Sequence, residues 1–189
     1  MNRDLVWCLI VLTLSIVPAA ARATVVVPAD LNELVRGSLA IVRGRVVSVQ
    51  AREGDGRRIE RLVRVHALSY YKGDLGEDVM FRVPGGTLGR YRTLVIGAPE
   101  YVEGEEVVLF LNARGPSMPY VLGLFQGTYR VTTDELAKTR VVVPAGLQAT
   151  SRTERVVRGD GSRDPIALSA FEAQLRQLVA TASAAGARP

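Results

Sequence analysis

Cysteine, histidine and tryptophan each occur once in 189 residues, and lysine only at positions 72 and 138. Two of the three singletons fall at the very start: Trp7 and Cys8 lie in "LVWCLIVLTLSIV", the apolar run Leu5–Val17. Arg3 precedes this run, Pro18 ends it, and Ala21-Arg22-Ala23 supplies an A-x-A cleavage pattern. That order is the layout of a secretory leader. The run is also too short to cross about 30 Å of hydrocarbon as a helix. Residues 1–23 are therefore expected to be a signal peptide cut after Ala23, leaving an exported chain, periplasmic or secreted, with no membrane span. That chain has no cysteine, so it forms no disulfide and no thiolate metal site. Its stability must come from its core. A bacterial envelope suits such a chain better than a eukaryotic secretory route.

The other absences remove most chemistry. His66 stands alone, and one histidine does not make a two- or three-histidine metal site. No nucleophile or paired carboxylate is near it in sequence. The pattern G-x-S-x-G does not occur, so a hydrolase elbow has no support. Glu103, Glu105 and Glu106 cluster around Gly104 but lack the calcium-loop order, and read as a charged turn before an apolar strand. The net charge is +5, yet no basic stripe with interleaved aromatics is present, so no nucleic-acid partner is expected. No cofactor and no metal are expected either.

Turns and alternation are what the sequence has in quantity. Asp30-Leu31-Asn32-Glu33 forms a capping box for a short helix, Leu31 to Arg36, with Gly37 placed to stop it. "SLAIVRGRVVSVQAR", from Ser38, is a long strand whose central Gly44 predicts a bulge or bend. Asp55-Gly56 marks a hairpin turn. On the return strand Ile59, Arg61, Val63, Val65 and Ala67 share one parity, with Arg64 and His66 on the wetter side. "DVMFRV", "YRTLVI", "EVVLFLN", "YVLGLF", "TYRV" and "TRVVVP" follow as shorter strands. Ser169 and Glu172 form a second capping box, and Phe171, Leu175, Leu178 and Val179 a helical stripe.

Many short strands at turn spacing predict an all-β fold with flanking helices: a small, partly open, OB-like β-barrel with a short N-terminal helix and a C-terminal helix. The expected organisation is a β-barrel domain over 24–144, a loop or mobile segment over 145–165, a helix over 166–182 and a tail over 183–189.

Residues Ala40 to Val131 also resemble known proteins. "AIVRGRVVSV", a hairpin, "VRVHALSYYKGDLGEDVMFRVPGG", "GAPEYVEGEEVVLFLN" and "GLFQGTYRV", in that order, resemble a group of exported bacterial proteins of unknown function. Their core is similar to the netrin/tissue-inhibitor-of-metalloproteinases module, itself an OB-type barrel. Those inhibitors chelate their target's zinc through an N-terminal cysteine freed by leader cleavage. Here cleavage would expose Thr24, and no cysteine remains.

"VPGGTLGR", residues 83–90, has the glycine density of a phosphate loop. Such a loop needs a following helix to aim its amides at the anion, and here strands flank it on both sides. The reading that remains is a contact rim at one end of the barrel: Pro84, Gly85, Gly86, Gly89, Arg90, Gly97, Pro99 and Tyr101. Arg43, Arg45, Arg61 and Arg64 on the first hairpin are a further candidate surface for an anionic partner. The expected function is an exported, non-catalytic binding domain that contacts another envelope or secreted protein. The alternatives are an inhibitor of a secreted (metallo)protease, implied by the resemblance, and a hydrolase using His66 with distant carboxylates.

Overall fold

The structure, a computed structural model, describes residues 29–54, 56, 58–135, 137–145 and 165–186. The leader expected over 1–23, the lead Thr24–Pro28, Asp55 of the hairpin turn and all but the ends of the 145–165 segment lie outside these residues.

Helix α1 (Leu31–Gly37) forms because its first turn satisfies itself. Asp30 Oδ1 accepts from Glu33 N–H at 2.7 Å, and the Glu33 carboxylate accepts from Asp30 N–H at 3.3 Å. The expected capping box is thus complete. The stop is not the expected one. Gly37 belongs to the helix, and Ser38 closes it by donating both its N–H and its hydroxyl to Leu34 O. Asp30→Ala removes a cap that contributes about 1 kcal/mol. A fall in melting temperature of roughly 2–4 °C is expected, measured by thermal denaturation against Asn32→Ala as control.

Strands β1 (Ala40–Glu53) and β2 (Ile59–Lys72) make the long hairpin. Strand β3 (Asp78–Pro84) pairs antiparallel with β2. Next in sequence comes a separate small hairpin, β4 (Gly86–Leu88) with β5 (Tyr91–Thr93). Strand β6 (Glu106–Asn112) returns to lie antiparallel to the first half of β1. Strand β7 (Tyr120–Val121) joins β6 antiparallel and β3 parallel, the latter through the single pair Arg82↔Tyr120. The circuit β1-β2-β3-β7-β6-β1 therefore closes on itself. A short 3-10 turn, Leu124–Gly127, leads to β8 (Thr128–Asp134), which takes the remaining part of the free edge of β6. Strands β9 (Thr139–Pro144) and β10 (Ile166–Ala167) extend the sheet beyond the ring, and helix α2 (Leu168–Gly186) follows. The fold is β-rich and partly closed, with a short helix before the described strands and a longer one after them.

Two apolar cores follow from side-chain alternation. Val42, Val46, Val63, Val65, Phe81, Leu109 and Leu111 are among those filling the ring. Ile41, Val108 and Phe110 point outward and are covered by Leu34 and Val35 of α1 and Phe171 and Leu175 of α2. Tyr129 lies between Phe110 and Phe171, at ring distances of 5.7 and 4.9 Å. Strand β6 is thus buried on both faces, which is why "EVVLFLN" shows no alternation.

Several boundaries differ from the sequence reading. Ile166 and Ala167 pair with β9 instead of opening the last helix, which runs on to Gly186, into the expected tail. Ser169 sits inside that helix. Glu172 does not reach back to cap it: its carboxylate accepts from Tyr71 Oη at 2.6 Å and meets Arg43 and Arg176. Burial, together with that bond, pushes the Tyr71 phenol up to about 12. "YVLGLF" is strand only at Tyr120–Val121, and "YRTLVI" only at Tyr91–Thr93.

Candidate functional site

The glycine stretch is built as a projecting hairpin. Pro84 ends β3, and Gly85, at φ +86°, still donates its N–H to Ile59 O at 3.0 Å. A Cβ on Gly85 would come 2.9 Å from Thr93 O, so glycine is needed for the strands to close. After β5 the chain crosses residues 94–98 in a turn in which Ala98 N–H donates to Val95 O. Gly97, at φ +82°, accepts from Phe125 N–H at 3.0 Å.

Arg61 holds both limbs of this segment from below. It projects inward from β2 and is 7% exposed. Its Nε donates to Gly85 O at 3.2 Å and its Nη2 to Pro99 O at 3.1 Å, while Nη1 meets Glu100 Oε2 at 2.5 Å. A planar guanidinium suits this task, because its donors diverge in a fixed fork. Arg130 adds a second tie, donating to Glu100 O at 2.7 Å and to the Glu105 carboxylate at 3.1 Å.

The anchored segment walls a cleft of about 500 Å³. Pro84, Gly85, Gly86, Gly97 and Pro99 of the expected rim line it; Arg61, Val95, Ile96 and Phe125 line it too. Gly89 and Arg90 form the exposed tip of the hairpin, where the Arg90 guanidinium sits 5.0 Å over the Tyr91 ring. Tyr101 is the correction. It is 6% exposed, packs edge-on against Phe81 at 5.5 Å and hydrogen-bonds Thr128 Oγ1 at 2.7 Å. It belongs to the core, and burial pushes its phenol well above the usual tyrosine range.

The main feature missed by the sequence reading is apolar exposure. Leu94 is 75% and Ile96 79% exposed, with Leu88 and Tyr91 beside them in sequence and also exposed. In sequence Leu94 and Ile96 belong to "YRTLVI", whose composition predicts a strand. Arg61 carried a usable signal: a charged residue on an otherwise apolar parity flags a buried, partnered cation.

The other candidates are dispersed. His66 Nδ1 lies 3.6 Å from Asp78 and 3.9 Å from Glu77, both exposed carboxylates and both beyond hydrogen-bond reach. It lines neither the rim cleft nor the two other clefts described below. Arg64 is exposed on β2, but the four hairpin arginines do not form one surface. Arg61 is internal, whereas Arg43 and Arg45 are knit to Glu106, which Arg140 also reaches. The Glu103–Glu106 turn spends two of its carboxylates on these partners and on Arg130, beside a second cleft of about 410 Å³. No protein-family model, curated protein or solved structure matches this chain.

Proposed function

We propose that this protein is an exported, non-catalytic interaction domain, and that residues 84–100 are the surface with which it holds another protein of the envelope or secreted fraction. The observation that carries the reading is the exposure of Leu94 and Ile96 on a segment pinned by a buried arginine. Isolated exposed apolar side chains are ordinary, but grouped ones on an ordered rim mark contact sites. Tyr91 and the stacked Arg90 supply residue types that dominate interface energetics. Residues 84–100 include Arg90 and Arg92, and their one acidic residue, Glu100, is paired with Arg61, so the complementary surface is apolar with acidic flanks. Export rests on the leader layout of residues 1–23, and the closed five-strand circuit supports the OB-like reading of the barrel.

The test is capture from the exported fraction of the protein's own cells, with a photoreactive residue at position 94 to mark what touches the rim. Leu94→Asp combined with Ile96→Asp is expected to weaken retention by about 30-fold or more, as loss of a hot spot does, while leaving the melting temperature unchanged. His66→Ala is expected to retain the partner in full. Undiminished capture by the double variant, or loss of capture in His66→Ala, would overturn the proposal.

A further inference from the structure

A different cleft, of about 510 Å³, opens at the seam of the ring where β3 and β7 meet through a single residue pair. Among the described residues it shares only Pro84 and Pro99 with the rim cleft, so these two prolines form the wall between them. Barrel mouths are a common place for small-ligand sites, and the volume lies within their usual range of roughly 300–1,000 Å³.

Its lining joins charge to an aromatic face. Arg58 enters from the loop before β2, Arg82 from β3 and Arg114 from the β6–β7 loop. Among the described lining residues the one carboxylate, Glu60, is already held by Arg52 at 2.7 and 2.9 Å. Among the described residues neither Arg58 nor Arg114 takes part in an ion pair. The Arg114 guanidinium instead stands 5.9 Å from the centre of the Tyr120 ring. Buried Ile59, Val83 and Val121 form an apolar floor. Leu124, also in the lining, holds φ +57°, a strained angle for a leucine and of the kind that clusters at functional sites.

We infer that this cleft binds a phosphate monoester whose body packs against Tyr120. Two uncommitted guanidiniums match the −1.5 to −2 charge that a monoester carries near pH 7, about one cation per unit of charge. Their planar forks suit bidentate contact with its oxygens. The apolar floor and the ring suit a compact, flat body more than bare phosphate. Among the described lining residues the Glu60 carboxylate is held by Arg52 and the Tyr120 ring lies beside Arg114, and the assignment is binding alone.

The test is calorimetric titration of the purified protein with phenyl phosphate, with inorganic phosphate and phenol as controls. Phosphatidate in phosphatidylcholine vesicles serves as the lipid-borne source of the same group. Phenyl phosphate is expected to bind more tightly than inorganic phosphate, and phenol not at all. Arg58→Gln with Arg114→Gln is expected to weaken phenyl phosphate binding by about tenfold or more. Both side chains are exposed, so an unchanged melting temperature without ligand would show that the fold is kept. Tyr120→Leu is expected to abolish the preference for phenyl phosphate over inorganic phosphate. Binding to the vesicles through the same arginines, without binding of phenyl phosphate, would support the site and assign it to a lipid headgroup. Absence of binding to either, or equal binding by the double arginine variant, would overturn it.

Discussion

Gly44→Ala is expected to lower the free energy of unfolding by about 3 kcal/mol, the upper end of the range for overpacked cores. The reason is space, since Gly44 has an ordinary negative-φ backbone. It sits in β1 where that strand is paired on both sides, opposite Ala67 of β2 and Val107 of β6. A Cβ there would lie 2.4 Å from Val65 Cγ1 and 2.6 Å from His66 O. Neither obstacle yields cheaply. Val65 is fully buried in the ring, and the His66 carbonyl is backbone. The register between β1 and β2 slips at this point, between Arg43 and Gly44, so the close approach is part of how the hairpin coils around the barrel. Alanine would force these strands apart along the circuit that closes the ring. Urea denaturation measures the effect. Gly76→Ala is the contrast: its position is open, and only the left-handed φ of +89° is strained, costing about 1 kcal/mol. A loss at Gly44 no greater than at Gly76 would show that β1 relaxes freely, and the account of the bend would fail.

What could be read from the sequence follows from which signals are local. The capping box at Asp30 and Glu33 involves residues three apart, and it is present as expected. Gly44 was legible as a bend because a glycine inside a strand has few other uses. The limits of "EVVLFLN" and "TRVVVP" were legible because turn residues bound them. The misreadings arise where tertiary partners decide. Glu172 has the spacing of a capping residue, yet Arg43 and Tyr71, more than 100 residues away in the chain, claim its carboxylate. Tyr101 sits next to turn residues and reads as a rim residue, but its ring completes the barrel interior against Phe81. Leu94 and Ile96 alternate with a threonine and a valine as strand residues do. Among the described residues no strand pairs with them, so the same pattern produces an exposed apolar edge. At the rim, the glycines and prolines were visible because they dictate backbone angles, whereas the side chains that would make contact were not.

Arg61→Leu is expected to cost about 3 kcal/mol and to abolish partner capture even under conditions where the protein remains folded. Leucine fills much of the volume left by the aliphatic stem, so lost packing is a minor part of the effect. The larger part is polar. Gly85 and Pro99 are buried, and their carbonyls would each lose a donor; an unsatisfied buried carbonyl costs about 1–3 kcal/mol. Glu100 contributes less, because its carboxylate is largely exposed and rehydrates. Arg61→Lys separates charge from geometry. A lysine keeps the cation but lacks the divergent fork, so it serves one carbonyl or the carboxylate and not all three. An intermediate loss of stability is expected. The distinguishing readout is local. Amide exchange at Ala98 and Phe125, whose N–H groups bond within and across the 94–98 turn, should accelerate in both variants relative to amides of β6. Leu94→Asp with Ile96→Asp should leave those amides protected while still losing the partner. If Arg61→Leu kept the turn protected and the partner bound, the rim would not depend on its buried cation, and the contact surface would have to be sought elsewhere on the barrel.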